Sequence, residues 1–184
     1  VAMKTIGMLG GMSWESTVKY YQCINRGIQR ELGGLHSAEI CLLSLDMEPI
    51  ERLQMAGDWD KAGDLLASAA KAVAAGGSHF IVICTNTMHK VADTVEAAAG
   101  IPVLHIADAT AAAIKKAGHS RIGLLGTRFT MEEDFYKGRL SEKHGLQVIT
   151  PDDAGRKTVH DVIYDELCLG QIKEDSRQKF LDVI

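Results

Sequence analysis

The sequence predicts an α/β fold with open parallel sheets, and three observations carry that expectation. A continuous apolar run, Phe80 to Ile83, lies between Gly76-Gly77 and the polar residues Cys84-Thr85-Asn86-Thr87, as expected of a strand buried on both faces. Short strand-like runs alternate with amphipathic helical stretches along the chain, the pattern of βαβ units. Finally, Arg121-Ile122-Gly123-Leu124-Leu125-Gly126-Thr127 echoes Thr5-Ile6-Gly7-Met8-Leu9-Gly10-Gly11, and each copy runs on into a helical pattern. The echo predicts two similar α/β subdomains, residues 1–118 and 119–184.

The chain supports each element in turn. Lys4 to Leu9 reads as a strand ending in Gly10-Gly11, with Ser13 as N-cap of a helix bearing Val18, Tyr21, Ile24 or Cys23, and Ile28 on one face. The glycine turn fits neither GxGxxG nor a GK[ST] phosphate loop. Two readings of Gly10-Gly11 stay open: close backbone approach to a small ligand, or tight helix–strand packing. Gly33-Gly34 breaks the helix, and Glu39 to Leu45 makes a second strand ending in Asp46. Met47 to Leu53 reads as short and broken by Pro49. Gly57-Asp58-Trp59-Asp60 then caps a helix with Leu65, Leu66, Ala69 and Val73 buried and Gly76 at its end.

After Phe80–Ile83, helical spacing of Met88, Val91, Ala92 and Val95 predicts a helix. Ile101 to Ile106 reads as a strand with Pro102 near its start, and Asp108 to Ala117 as a helix closed by Gly118. In the second half, a helix carries Phe135 and Leu140 and ends at Gly145. Leu146 to Thr150 is a strand, and Val159, Ile163 and Leu167 line a helix ended by Gly170. Phe180, Leu181 and Ile184 open a further helical face without a cap. The counterpart of Cys84-Thr85 in the second copy would fall past Ile184, so the sequence reads as lacking its C-terminal part.

Composition narrows the function. The 184 residues are 46% apolar, enough for a buried core, and carry a net charge of -4. Scattered Lys and Arg argue against a nucleic-acid partner, which needs a concentrated basic face. No apolar run approaches the roughly 20 residues of a membrane helix. No signal peptide is apparent, and Val1-Ala2 before Met3 reads as an expression remnant; the expected location is cytoplasmic. The cysteines at 23, 41, 84 and 168 show no metal-ligand spacing and read as free thiols, with Cys23, Cys41 and Cys168 as small core residues.

The chemistry gathers at Cys84-Thr85-Asn86-Thr87. These residues crowd the carboxyl end of a strand, where open α/β sheets bind ligands. Hydroxyl and amide side chains beside a new helix N-terminus suit an anion, and a thiol or hydroxyl held beside a bound carboxylate suits proton transfer. His89 and His105 read as hydrogen-bonding residues at helix and strand ends.

Five segments together resemble one family, the aspartate/glutamate racemases of the cofactor-independent branch. They are Ile6 to Ser16, Cys84 to His89, His105 to Asp108, Leu125 to Thr127 and Ile163 to Leu167. The resemblance implies two open parallel-sheet subdomains related by pseudo-two-fold symmetry, with the active site between them. It implies racemisation of aspartate or glutamate by two-base α-proton transfer without pyridoxal phosphate, and a homodimer. It further implies a small-molecule amino-acid substrate, no nucleic acid, no membrane and no metal.

The family commonly shows Cys-Asn-Thr-x-His at the first site. Aligning on Asn86-Thr87-Met88-His89 puts Thr85 in the cysteine's place. A one-residue offset turns a strand side chain to the other face, so Thr85 is the expected acid/base, with Cys84 the alternative. A hydroxyl is a weaker proton donor and acceptor than a thiol and needs activation. The family's other cysteine, in a Gly-Cys-Thr segment, is not among these residues. The resemblance places Met12 in the pocket wall and Asn86, Thr87 and Thr127 on the α-carboxylate or α-amino group. Gln54, Arg52 and Lys157 are candidates, on reach, for the side-chain carboxylate. Two other readings are a related isomerase of hydantoin racemase or maleate isomerase type, and a non-catalytic binding protein for dicarboxylic amino acids.

Overall fold

The computed structural model describes residues 3–184; Val1 and Ala2, read above as an expression remnant, lie outside them. The chain forms two compact units that meet in sequence at Leu104 and His105.

In the first unit, β1 (Ile6–Gly10) pairs in parallel with β2 (Ile40–Ser44) on one side and β3 (Phe80–Ile83) on the other, giving the order β2-β1-β3. Pro102 to Leu104 extends this sheet beyond β3. The Ile81 N–H donates to the Pro102 carbonyl and the Leu104 N–H to the Ile81 carbonyl, both at 2.8 Å. Only an Ile81–Val103 bridge forms where a strand over 101–106 is expected. Pro102 has no N–H to add to the ladder, and His105 already caps the next helix.

The helices follow their caps. Helix α1 (Trp14–Leu32) starts at Ser13, whose side chain accepts from the Ser16 N–H. Helix α2 (Met47–Ala56) starts at Asp46, and Pro49 does not break it, because in the first turn its missing N–H has no partner to lose. Helix α3 (Trp59–Ala75) is capped by Asp58 and ends at Gly76. It lays Leu66, Ala69 and Val73 against Leu9, Ile81 and Ile83 in a core closed to solvent, whereas Leu65 stands 41% exposed on the helix's outer side. The expected face of α1 departs further: Val18, Tyr21 and Cys23 are exposed, and Ile24 and Ile28 half-buried. β3 runs into a 3₁₀ turn, Thr87–Val91, before helix α4 (Ala92–Ala99).

The second unit begins with His105 and helix α5 (Ile106–Lys116). The sequence assigns this helix to the first subdomain, but its buried Ala107 and Ala111 pack with Leu124, Leu140, Leu146 and Val159, which moves the division from 118/119 to 104/105. β4 (Arg121–Gly123) and β5 (Gln147–Ile149) pair in parallel. Between them, helix α6 (Arg128–Glu132) stops early, and Leu140 is instead buried on a π-helical turn, Arg139–Lys143. Helix α7 (Asp153–Asp165) buries Val159 and Val162, and helix α8 (Glu174–Val183) follows. Among the described residues, no helix is long and apolar enough to cross a membrane.

Candidate active site

The strand order points to the candidate site. The chain steps from β1 to β2 on one side and then crosses back to β3 on the other, so the carboxyl ends of β1 and β3 form a topological switch point, where open α/β sheets bind ligands. Two turns meet there, Gly10-Gly11-Met12-Ser13 after β1 and Cys84-Thr85-Asn86-Thr87 after β3.

The glycine turn is built for packing. A Cβ on Gly10 would overlap the Thr17 side chain, and one on Gly11, at φ +88°, would overlap the Leu45 carbonyl. The Gly11 N–H donates to Thr17 Oγ1 at 2.9 Å, and that hydroxyl donates to the Ser13 carbonyl at 3.0 Å. Of the two readings left open by the sequence, tight packing is the one these contacts support. Met12 is buried and belongs to the apolar core of the first unit.

The second turn is tied to the first. The Cys84 N–H donates to the Leu9 carbonyl at 2.9 Å, and the Cys84 carbonyl accepts from Ser16 Oγ at 2.8 Å. Cys84 itself is closed to solvent, its Sγ within 3.9 Å of the Val82 carbonyl, and burial pushes the thiol up to about 12. It stays protonated at neutral pH. Thr85 is half-buried, Asn86 exposed and Thr87 buried. The imidazole of buried His89 reaches back so that Nδ1 lies 2.8 Å from the Thr85 carbonyl. Because a 3₁₀ turn follows, this strand end does not meet the N-terminus of a regular α-helix, which the spacing of Met88 and Val91 suggests.

Gln54, 4% exposed on α2, directs Nε2 at Met88 Sδ, 3.0 Å away, and so reaches the turn that carries Asn86 and Thr87. Arg52 is exposed and paired with Glu48 along its own helix. Lys157 is exposed and paired in the same way with Asp161. Thr127 is buried and caps α6, its hydroxyl accepting from the Thr130 N–H at 3.4 Å. His105 caps α5 through Nδ1, 3.2 Å from the Ala107 N–H.

Two features escape a reading of single residues. Ser16 is visible in the sequence only as part of a helix's first turn, yet it spans to Cys84. Asp108 accepts a two-pronged bond from Arg139, at 2.8 Å on each oxygen, and is also met by Lys143 Nζ at 2.9 Å and His144 Nε2 at 2.7 Å. The Arg139 guanidinium, aided by His144 and Lys143, holds this carboxyl well below the usual carboxylate range.

Comparison with known proteins places the chain in a family. Residues 9–184 match the family described as Asp/Glu/hydantoin racemase. The crystal structure of a candidate Asp/Glu racemase from Yersinia pestis is 59% identical, with a TM-score of 0.89 over 99% of this chain and 79% of that one. An aspartate racemase homologue from Pyrococcus horikoshii OT3 is 34% identical, with a TM-score of 0.76 over 96% of this chain and 76% of its own. The aspartate racemase of Picrophilus torridus shares the fold at 22% identity, with a TM-score of 0.75 over 98% and 74% of the two chains. This chain belongs to the Asp/Glu/hydantoin racemase family.

Proposed function

We propose that this chain racemises aspartate or glutamate without a cofactor, and that Thr85 exchanges the proton on one face of the substrate's α-carbon. The observation that carries the reading is the contrast at the end of β3: Cys84 is sealed from solvent with its thiol pushed up to about 12, while the next residue, Thr85, is only half-buried. A thiol that is neither accessible nor ionised is a poor base. Relatives that share nearly the whole of this chain carry the names Asp/Glu racemase and aspartate racemase homologue.

Racemisation through a planar carbanion needs an acid and a base on opposite faces of the α-carbon. Thr85 supplies one. Its hydroxyl is intrinsically weak, so it works unequally with a stronger opposite group, and the two enantiomers are processed at different rates although their equilibrium stays near unity. Asn86 and Thr87 bind the α-carboxylate or α-amino group, and Met12 walls the pocket. Gln54, which reaches the same turn through Met88, binds the substrate's side-chain carboxylate, with Arg52, Lys157 and Thr127 as the further candidates.

The test is deuterium incorporation at the α-carbon of L- and D-aspartate and L- and D-glutamate in heavy water. Exchange that survives Cys84→Ala and falls at least ~100-fold in Thr85→Ala supports the proposal. Exchange lost in Cys84→Ala and retained in Thr85→Ala moves the role to Cys84. Thermal stabilisation by aspartate with no exchange identifies a binding protein instead.

A further inference from the structure

Thr85 is held by two side chains that neither donate to nor accept from its own hydroxyl. The Cys84 carbonyl, coplanar with the Thr85 N–H, accepts from Ser16 Oγ at 2.8 Å. The Thr85 carbonyl, coplanar with the Asn86 N–H, lies 2.8 Å from His89 Nδ1. A carbonyl only accepts, so Nδ1 carries the proton, and the neutral ring is in its Nδ1–H form. The two peptide planes that flank Thr85 are thus pinned from different elements: one from the first turn of α1, the other from the 3₁₀ turn. Pinning both planes fixes φ and ψ of Thr85 and therefore its Cα–Cβ direction. A β-branched side chain is restricted at χ1, so a fixed backbone limits the hydroxyl to few directions.

We propose that Ser16 and His89 are positioning residues, which aim the Thr85 hydroxyl by clamping the peptide planes on either side of it. This rests on Thr85 as the proton-transfer group. Ser16 has one proton and two acceptors, the Ser13 and Cys84 carbonyls at 2.8 Å each, so it joins the turn after β1 to the turn after β3. His89 is 3% exposed and makes its bond away from water. Neither contact requires a charge, so neither residue needs to titrate in order to act.

The experiment uses donor mimicry. An asparagine amide superposes on the Nδ1 position of histidine, whereas glutamine reaches the Nε2 position. His89→Gln and Ser16→Ala are expected to lower kcat for α-proton exchange by about 10- to 100-fold, with KM within about threefold of the parent, the signature of a misaimed rather than an unbound substrate. His89→Asn and Ser16→Thr, which restore the donor, are expected to recover most of that loss, and the pH–rate profile is expected to keep its shape in all four. If His89→Asn is as slow as His89→Gln and one limb of the profile vanishes, His89 moves a proton itself and the clamp is wrong for that residue. If Ser16→Ala matches the parent, Ser16 positions nothing. A second measurement does not depend on activity: ¹⁵N resonances of the unsubstituted protein report the His89 tautomer. The Nδ1–H form is expected, and the Nε2–H form overturns the proposal even in a protein that exchanges normally. Should the parent show no exchange at all, the racemase reading fails while the tautomer still decides the clamp.

Discussion

The two units are stabilised by different means. The first joins three parallel strands through its centre and closes Met8, Leu9, Leu66, Ile81 and Ile83 completely from solvent. Its ion pairs Arg52–Glu48 and Lys61–Asp58 each span one helical turn and lie on the surface. The second has two strands of three residues each, and a long-range charge cluster ties its elements together: Asp108 on α5 meets Arg139, Lys143 and His144 around the π-helical turn. Where the sheet is short, oriented charge-assisted bonds set the placement that strand pairing sets elsewhere. The first unit is accordingly sensitive to lost volume, and the second to lost charge.

Leu66→Ala removes a fully buried side chain facing β1 and β3 and should cost about 2–5 kcal/mol, read from urea unfolding. A loss under about 1 kcal/mol would show that this core collapses around the gap and that the contrast between units is overstated. Asp108→Asn should cost about 1–3 kcal/mol, since one partly exposed carboxylate serves three donors. Because the folded carboxyl titrates below its ordinary value, its stabilisation is complete above about pH 4 and is lost as pH falls below that. The stability difference between parent and Asp108→Asn should therefore shrink on acidification, and a difference that stayed constant would sink the assignment.

His160 gives a smaller effect in the same unit. Burial, and then the Arg128 charge, push its imidazole below the ordinary value, and Nδ1 accepts the Arg128 N–H at 3.2 Å. A depressed base stabilises fully above about pH 6.5, and the contribution is lost as pH falls through the folded value. Melting followed from pH 7.5 to 5.5 should decline more in the parent than in His160→Asn, whose amide does not titrate. The smallest effect is expected at the surface of the first unit. Arg52→Ala breaks an exposed pair one turn long and should change stability by less than about 0.5 kcal/mol. A larger cost there would mean that charge matters as much in the first unit as in the second.

Local chemistry was legible in the sequence. Ser13 and Asp58 have short side chains that reach their own helix N–H groups, Gly76 ends α3, and the apolar run Phe80–Ile83 is a strand. These outcomes depend on neighbours a few residues away. Long-range outcomes were less legible. The apolar spacing of Val18 and Tyr21 describes a face but not what lies opposite it, and Leu65 is as apolar as Leu66 yet stands outside the core. Pro49 reads as a breaker until its place in the first turn of α2 is known.

The sequence by itself determined the alternation of strands and helices, some of their caps, and the family, because these follow from periodicity, short-range hydrogen bonding and recognisable segments. Only the tertiary structure decided that Cys84 is sealed and Thr85 half-open, that Gly10 and Gly11 admit Thr17 and Leu45, and that α5 belongs with the second unit. Each of these depends on groups far apart in the chain, and the clearest case is the hydroxyl of Ser16 on the carbonyl of Cys84. No local pattern encodes such a contact, since it exists only once the strands that carry both turns have been laid side by side.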